Sequence, residues 1–244
     1  MRATSSGKTL MLCKIAELIT EVPAAGGMAP RCAGYLSEEA TEPEIVIRQE
    51  LYHAENWPGL PLELLEYMES GTQFHWALLR YNGLMLHASS AALGGRAYLF
   101  SGPCGRGKST HTHLWQQTFG EAVQVFNDDK PALRRLDDRW YAYGTPWCGK
   151  DGINLNQKWP LGGICFLEKS QENRIRRLPA AEALPLILAQ TTYRLQPHSM
   201  ELLLASLDSL LREIPVFLLE NRPEEAAARL SFETMRRAAE EEGL

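Results

Sequence analysis

The sequence predicts an α/β fold with a mixed sheet and a small N-terminal α+β lobe. From about residue 83 onward, apolar runs of strand length are interspersed with helical patterns, which is typical of α/β domains. Two runs, 132–136 and 140–143, are separated only by the turn Asp137-Asp138, and such a hairpin among helices predicts a mixed sheet. Residues 1–82 are broken up by Pro and Gly and predict a separate lobe, so the main domain is expected to span residues 83–244.

Short patterned stretches predict the elements of the N-terminal lobe. Residues 45–47 are a candidate strand, residues 62–68 have apolar side chains at helical spacing, and residues 74–79 are a second candidate strand. Between them, Pro and Gly residues and an acidic stretch at 38–44 indicate loops. The lobe is therefore expected to lean on the main domain as a small α+β unit.

In the main domain, short apolar runs bounded by turn residues predict strands, and longer amphipathic stretches predict helices. In chain order the predicted elements are strands at 84–86 and 97–100 joined by the turn Gly94-Gly95, a helix at 108–119 stopped by Gly120, strands at 123–126, 132–136, 140–143 and 161–167, helices at 180–190 and 199–211, a strand at 215–219, and an acidic helix from Pro223. The last helix is expected to pack on the core or to form a contact between copies of a homo-oligomer.

Composition argues against several classes of protein. The net charge is −5 and the acidic residues are spread along the chain, which disfavours a nucleic-acid-binding protein with a basic face. No apolar run reaches the roughly 18 residues of a membrane span and no signal peptide is recognisable, so a cytoplasmic protein without a membrane partner is expected. The five cysteines have no C-x-x-C spacing and are predicted to be reduced thiols.

A phosphate-binding motif follows the second of these strands. The segment 102–109 reads G-P-C-G-R-G-K-S and satisfies G-x-x-x-x-G-K-[ST] in full. Its glycines let backbone N–H groups turn toward phosphates, Lys108 places a positive charge on them, and the Ser109 hydroxyl is a suitable Mg²⁺ ligand. The helix that begins at Lys108 adds its N-terminal dipole. The nucleotide-binding residues predicted from this motif are Gly102, Gly105, Arg106, Gly107, Lys108, Ser109 and Thr110.

A second segment, Ser6-Gly7-Lys8-Thr9, imitates the end of that motif. It has no glycine at the required upstream spacing and no predicted strand before it. We therefore interpret it as coincidence.

Two polar groups flank the motif in the sequence. Asp128 and Asp129 end a short apolar strand, where one carboxylate can hold Mg²⁺ while its neighbour, on the opposite face, can take the proton of an attacking hydroxyl. The alternative is a polar strand-to-turn junction, because Asn-Asp-Asp is also favourable turn chemistry. His87 ends another apolar run and is either a site residue or a structural histidine. His111 and His113 diverge by about 200° on the predicted helix, so a metal pair is not expected there.

Together these features resemble the HPr kinase/phosphorylase family, bacterial serine kinases whose catalytic domain has a phosphoenolpyruvate-carboxykinase-like P-loop fold. The family pattern is a strand ending in His, the loop G-x-x-G-x-G-K-S that begins fifteen positions after that His, and a strand ending in Asp-Asp. In this chain His87 stands fifteen residues before Gly102, the loop has the internal glycine, and Asp128-Asp129 supplies the acid pair. The resemblance covers residues 84–167 and implies a phosphoenolpyruvate-carboxykinase-like core.

The resemblance also implies roles for individual residues. Asp128 would be the general base, assisted by His87. Asp129 would position Lys108 or the metal. Asp151 would correspond to a later acid that contributes to the Mg²⁺ site.

The leading hypothesis is an ATP- and Mg²⁺-dependent kinase that phosphorylates a hydroxyl, of the serine type, on a protein, a peptide or a small molecule. Thr110 stands where the family usually has an acidic residue, and neither the family's C-terminal signature nor its N-terminal domain is visible, so the resemblance does not extend to HPr as the substrate or to the reverse reaction. A nucleotide-dependent carboxykinase is disfavoured by the short chain and the lack of a Lys/His/Asp transition-metal set. The alternative from another class is a regulatory module that senses a nucleotide without turning it over.

Overall fold

The computed structural model describes residues 2–3, 9–24, 26–39, 41–191 and 197–244. Within these ranges the strands form two sheets, one of four strands and one of nine, and helices pack against both. The chain is thus a mixed α/β protein, as the sequence predicts. The motif-like Ser6, Gly7 and Lys8 lie outside the described residues.

The four-stranded sheet is formed by strands between residues 2 and 46, in the part of the chain that we call the lobe, and has the order β1-β2-β3-β4. Its strands are β1 Arg2–Ala3, β2 Thr9–Ile15, β3 Leu18–Pro23 and β4 Ile45–Val46. β2 and β3 form a hairpin whose turn residues Ala16 and Glu17 have φ angles of 49° and 66°, both left-handed as in a type I′ turn. The sequence predicts only β4, since Ala-Glu is not the Asn-Gly or Asp-Gly signal by which such hairpins are recognised.

Two helices complete the lobe, α1 Met28–Cys32 and α2 Leu62–Leu78. The helix predicted at 62–68 is confirmed and continues to Leu78. The strand predicted at 74–79 is wrong, because these residues form the end of α2 and a short 3₁₀ turn. Phe74, His75 and Leu78 are all buried, which is the spacing of one helical face and not the alternation of a strand.

The nine-stranded sheet is formed by strands between residues 83 and 221, in the part of the chain that we call the main domain. Its strands are β5 Gly83–Met85, β6 Ala88–Leu93, β7 Arg96–Ser101, β8 Gln124–Asp129, β9 Ala132–Leu136, β10 Arg139–Tyr143, β11 Lys158–Lys169, β12 Arg174–Arg177 and β13 Val216–Asn221. The main path is β5-β9-β10-β11-β7-β6-β8, and β13 pairs with β11 and β12. β11 is parallel to β7 and β13 but antiparallel to β10, so the prediction of a mixed sheet is confirmed.

The connection before the phosphate loop differs from the prediction. The turn Gly94-Gly95 joins β6 to β7 and does not join the strand at 84–86 to the strand at 97–100. β6 reads Ala-Ser-Ser-Ala-Ala-Leu and contains no β-branched or aromatic residue, so its sequence carries little strand signal. All six of its residues are nevertheless buried, and β6 pairs with both β7 and β8. It therefore links the strand before the phosphate loop to the strand that ends in the acid pair.

Four helices cover the nine-stranded sheet, namely α3 Lys108–Phe119, α4 Ala180–Thr191, α5 Pro197–Glu213 and α6 Glu225–Glu241. The predictions of these helices are confirmed, and α3 ends at Phe119, directly before Gly120, as expected. Trp115 of α3 and Met235 of α6 belong to one core cluster, whereas Ile187 of α4 and Leu207 of α5 belong to another. α6 is thus a packed terminal helix.

A third core cluster connects the lobe to the main domain. It contains Tyr35 and Phe74 from the lobe together with Met85, Tyr143 and Trp147 from the main domain. The rings of Phe74 and Trp147 stack at a centroid distance of 4.8 Å. In the described ranges, no helix is both long and apolar enough to cross a membrane.

Candidate functional site

The phosphate loop connects β7 to α3, as the motif requires. Gly102, Gly105 and Gly107 have φ angles of 140°, 78° and 97°, in the region that favours glycine. Gly107 directly precedes α3, and its carbonyl accepts the N–H of His111 at 2.8 Å. The first N–H groups of α3 have no acceptor inside the helix, and together with the loop they form the usual arrangement for binding an anion.

Lys108 lies across this loop. Its Nζ donates to the carbonyl oxygen of Gly102 at 2.9 Å and to that of Pro103 at 3.4 Å. Burial lowers the pKa of the ammonium group, and the charges of nearby acidic groups, including the two aspartates of β8, oppose that shift. Within the described ranges, Lys108 donates hydrogen bonds only to neutral carbonyl oxygens. Replacing these acceptors by negatively charged phosphate oxygens would make the electrostatic interaction of the lysine more favourable.

Asp128 and Asp129 are the last two residues of β8, so their side chains leave opposite faces of the strand. Asp128 lies among groups of the phosphate loop and of β6. Burial raises its pKa, hydrogen bonding from the Ser89 and Ser109 hydroxyls lowers it, and the negative charge of Asp151 raises it. The Oδ1 atom of Asp128 is buried and has no hydrogen-bond partner.

The oxygens beside the loop fit a Mg²⁺ ion that arrives with a nucleotide. Asp128 Oδ1 is a buried carboxylate oxygen without a hydrogen-bond donor, and a cation would satisfy it. The Ser109 hydroxyl interacts with the same carboxylate. Across the described chain, no three His, Cys, Asp or Glu side chains form a protein-only metal site. Mg²⁺ does not require one, since it binds through one or two carboxylates and completes its shell with phosphate and water. Asp151, a predicted ligand, is exposed on a loop near Asp128.

Asp129 has a second and different set of neighbours. Tyr67 of α2 donates a hydrogen bond to Asp129 Oδ2, and the N–H of Gly149 donates to the same phenol oxygen at 3.0 Å. The Nε2 atom of His87 lies 3.5 Å from Asp129 Oδ1. Burial raises the pKa of Tyr67, so the phenol keeps the proton that it donates. The two adjacent carboxylates therefore have separate surroundings.

His87 lies in the link between β5 and β6, just beyond the strand that the sequence predicts it to end. Its Nδ1 is 3.0 Å from Gln190 Oε1, and its backbone N–H donates to the Gln190 carbonyl at 3.0 Å. Burial and the charge of Lys108 lower the pKa of the imidazole, while Asp129 raises it. The neutral imidazole is favoured, which suits an acceptor or relay of protons near pH 7.

In the part of the chain that the structure describes, two cavities border this group of residues. The lobe cavity, of about 640 Å³, opens beside Asp129 where the lobe meets the main domain, and its walls include Arg31, Glu63, Leu64, Tyr67, Asp129 and Lys150. The loop cavity, of about 430 Å³, lies along the phosphate loop and is lined by residues that include Arg106, Gly107, Thr110, His111, Asn221 and Arg222. Arg106 and Thr110, both predicted to contact the nucleotide, therefore line the loop cavity and not the lobe cavity.

The sequence matches no family model and no curated protein. Among solved structures, the chain is similar to the Hpr(Ser) kinase/phosphatase from Coxiella burnetii, with a TM-score of 0.36 and 14% identity, covering 63% of this chain and 88% of that chain.

The site also contains residues that sequence reasoning does not single out. Tyr67 lies on the helix predicted at 62–68. The only local indication of its role is that a buried tyrosine hydroxyl usually requires a hydrogen-bond partner. Arg31 and Gln190 lie on α1 and α4, which are remote from the motif in sequence. The five cysteines are free thiols, and Cys104 of the phosphate loop is the exposed one.

Proposed function

We propose that this chain is an ATP- and Mg²⁺-dependent kinase that transfers the γ-phosphoryl group to a hydroxyl, of the serine type, on a protein, a peptide or a small molecule. The observation that carries the proposal is the meeting of the phosphate loop with two differently surrounded carboxylates at the end of β8. A phosphate loop alone serves many nucleotide-hydrolysing proteins. A further carboxylate, flanked by histidine and beside a cavity, suits the activation of an acceptor hydroxyl.

ATP fits with its triphosphate along the loop and its nucleoside toward the loop cavity. The N–H groups of the loop would bind the phosphates, and Lys108 would exchange its carbonyl acceptors for oxygens of the β- and γ-phosphates. Asp128 and Ser109 would hold Mg²⁺, which when bound neutralises part of the phosphate charge.

In this proposal the proton of the acceptor hydroxyl goes to Asp129. The hydroxyl oxygen bonds to the γ-phosphorus, the bond from that phosphorus to the β–γ bridging oxygen breaks, and ADP leaves. Asp129 is supported as the base by the hydrogen bond from Tyr67, which fixes the carboxylate, by the nearby His87, and by the lobe cavity beside it. The family resemblance implies the reverse division, with Asp128 as the base. Asp129 is proposed as the base because His87 lies beside it, and Asp128 is proposed as the Mg²⁺ ligand because Ser109 lies beside it.

Two matched variants separate these assignments. Asp129→Asn should retain ATP binding and lose phosphoryl transfer by about 100-fold or more, which is the usual cost of removing a general base. Asp128→Asn should raise the Mg²⁺ concentration that gives half-maximal activity. Asp138→Asn is the control, because that residue lies in an exposed hairpin turn with a left-handed φ of 61° that asparagine also accepts.

The measurement is ADP release together with mass-spectrometric detection of the phosphorylated product, with and without candidate acceptors. Slow basal hydrolysis that an acceptor stimulates supports the kinase. Loss of transfer in Asp128→Asn with an active Asp129→Asn would restore Asp128 as the base. ATP binding without turnover in the presence of every acceptor would contradict the kinase and favour a nucleotide sensor.

A further inference from the structure

We infer that the lobe cavity binds the phosphoryl acceptor and that this acceptor carries a carboxylate, which Arg31 and Lys150 receive. The transfer step in this inference rests on the proposed kinase function, whereas the binding of a carboxylate compound to the cavity can be tested without it. Tyr67 connects the two ends of the proposed site, since Arg31 covers its ring and its hydroxyl bonds Asp129. The acceptor hydroxyl would therefore meet Asp129 and the carboxylate would meet Arg31, with Tyr67 in contact with both residues.

Arg31 is held in place by the groups around it. Its Nη1 donates to the carbonyl oxygen of Gly149 at 2.7 Å and lies 3.2 Å from Cys148 Sγ. The guanidinium carbon lies 4.8 Å from the centroid of the Tyr67 ring, and Asn154 Nδ2 donates to the Arg31 carbonyl at 2.8 Å. A guanidinium has five N–H donors, so these contacts leave the Nε and Nη2 edge of Arg31 available to a ligand.

Within the described part of the chain, the half-buried Arg31 forms no ion pair with a carboxylate. Among the residues that the structure describes, no Asp or Glu lies within ion-pair distance of this guanidinium. Arg135, another half-buried arginine, is paired with Glu213 at 2.9 Å. A fixed arginine that faces a cavity without a carboxylate partner is suited to receive a planar anion, because its fork matches the two oxygens of a carboxylate.

The other walls of the lobe cavity limit the kind of acceptor. Lys150 is exposed and adds a second positive charge, and Glu63 provides a negative charge elsewhere on the wall. Pro30, Leu64 and Met68 supply apolar surface. The volume of about 640 Å³ lies within the range of roughly 300–1,000 Å³ that is usual for small-molecule sites. The chemistry expected is a hydroxyl close to a carboxylate, supplied by a free hydroxy acid or by an acidic residue next to serine in a peptide.

The competing explanation is that Arg31 only attaches the lobe to the segment that contains Gly149, through the carbonyl of that residue. A tie of that kind would affect stability without discriminating between a carboxylate and its neutral amide. Matched acid and amide probes therefore separate the two explanations. The probes are L-serine against L-serinamide, and acetyl-Gly-Ser-Asp-amide against acetyl-Gly-Ser-Asn-amide.

The first experiment measures binding of the four probes to the whole chain by titration calorimetry in the absence of nucleotide. At least one acid should bind more tightly than its amide, by between about 10- and 100-fold, the range that charge-assisted hydrogen bonds support. Arg31→Gln should remove that preference, and Arg31→Lys should restore part of it. Lys150→Gln, a change at an exposed position, should weaken binding of the acid with no effect on folding. Arg237→Gln, on the exposed face of α6, is the control and should keep the full preference.

The second experiment measures kcat/KM for the same probes as phosphoryl acceptors. Arg31→Gln should lower the ratio of acid to amide about tenfold or more while the KM for ATP stays the same. Preference for L-serine identifies a free hydroxy acid, and preference for the aspartyl peptide identifies a peptide acceptor. Acid preference in binding without any transfer would contradict the kinase and leave the carboxylate site in place.

Equal binding of acids and amides to the unmodified chain would overturn the inference. So would an Arg31→Gln variant that is folded and still prefers the acid, or the failure of every probe to bind. The melting temperature and circular dichroism of each variant show whether a loss of preference reflects unfolding, and the conservative Arg31→Lys variant decides the case if the glutamine variant is unstable.

Discussion

At the scale of single residues, the candidate site depends on two adjacent aspartates with different neighbours. Asp128 lies among serine hydroxyls and has a buried Oδ1 without a donor, whereas Asp129 accepts the hydrogen bond of Tyr67 and faces His87. The pleat of β8 produces this difference, because consecutive side chains leave opposite faces of a strand. Identical side chains can thus be suited to different steps of one reaction.

Tyr67→Phe tests whether the position of Asp129 matters. The variant removes the hydrogen bond to the carboxylate and the acceptor of the Gly149 N–H, and keeps the ring beneath Arg31. We expect kcat to fall about tenfold or more, since a hydrogen bond to a charged group contributes about 1.5–3 kcal/mol. The KM for ATP should not change.

Steady-state kinetics with a responsive acceptor is the measurement for this variant. Tyr81→Phe is a matched control, because that hydroxyl donates to the Glu44 carbonyl at 3.0 Å on the outside of the lobe. Similar losses in both variants would mean that Tyr67 acts only through stability.

At the scale of elements, α6 secures the helix that follows the phosphate loop. Ser231 donates its proton to the Ala228 carbonyl at 2.9 Å, and its oxygen accepts the Nε1–H of Trp115 at 2.9 Å. His111 Nε2 lies 2.9 Å from the same oxygen and must be the donor, because the serine has only one proton. His111 and Trp115 both belong to α3. One hydroxyl of α6 therefore holds two turns of the nucleotide-binding helix.

Ser231→Ala should lower the free energy of unfolding by about 2–4 kcal/mol. The substitution leaves two buried N–H donors without an acceptor, and each such group costs about 1–3 kcal/mol. Urea unfolding at constant pH measures the change. Ser206→Ala, at a half-buried position on α5, is the matched control and should change stability by about 0.5 kcal/mol or less. Equal and small effects of the two substitutions would contradict the anchoring role of Ser231.

At the scale of the whole molecule, the lobe and the main domain build the candidate site together. Tyr67 and Arg31 belong to the lobe, and the groups that they contact, Asp129 and Gly149, belong to the main domain. A continuous core cluster joins the two parts behind these contacts. Removing the lobe would therefore remove one wall of the lobe cavity as well as the hydrogen bond to Asp129.

Two buried histidines make the stability of the whole chain dependent on pH. Burial lowers the pKa of His75 and of His111 to about 4 from an ordinary value of 6.5. Between these values the unfolded chain binds more protons than the folded chain, so the stability present above pH 6.5 is lost as the pH falls toward 4. Each histidine contributes a slope of up to about 1.4 kcal/mol per pH unit. Asp128, whose pKa is raised by burial, acts in the opposite sense.

The free energy of unfolding should therefore fall between pH 7 and pH 5. Urea titrations at the two pH values, on the unmodified chain and on His111→Gln, measure the effect. The glutamine variant should lose about 2 kcal/mol less than the unmodified chain over that interval. A His198→Gln control should behave like the unmodified chain, because that side chain is 74% exposed. An identical pH slope for His111→Gln would show that His111 is not buried in its neutral form.

The sequence by itself determined the phosphate cradle and most elements of the main domain, because their signals are local. The loop at 102–109 is one continuous segment whose glycines accept the required backbone angles. The helix α3 begins at Lys108 and ends directly before Gly120, at the limits that local signals predict. The acid pair follows a strand that is recognisable from its apolar run. The lobe was harder to predict, since its hairpin has an atypical turn and the end of α2 imitates a strand.

Only the tertiary structure decided which partner each carboxylate of β8 meets and what borders the acceptor side of the site. β6 has little strand signal of its own, yet its pairing with β7 and β8 brings His87 beside Asp129. The packing of α2 on the main domain brings Tyr67 to the same carboxylate and Arg31 to the Gly149 carbonyl. These contacts join segments that are far apart in sequence, and their energy comes from burial and hydrogen bonding that no local pattern encodes.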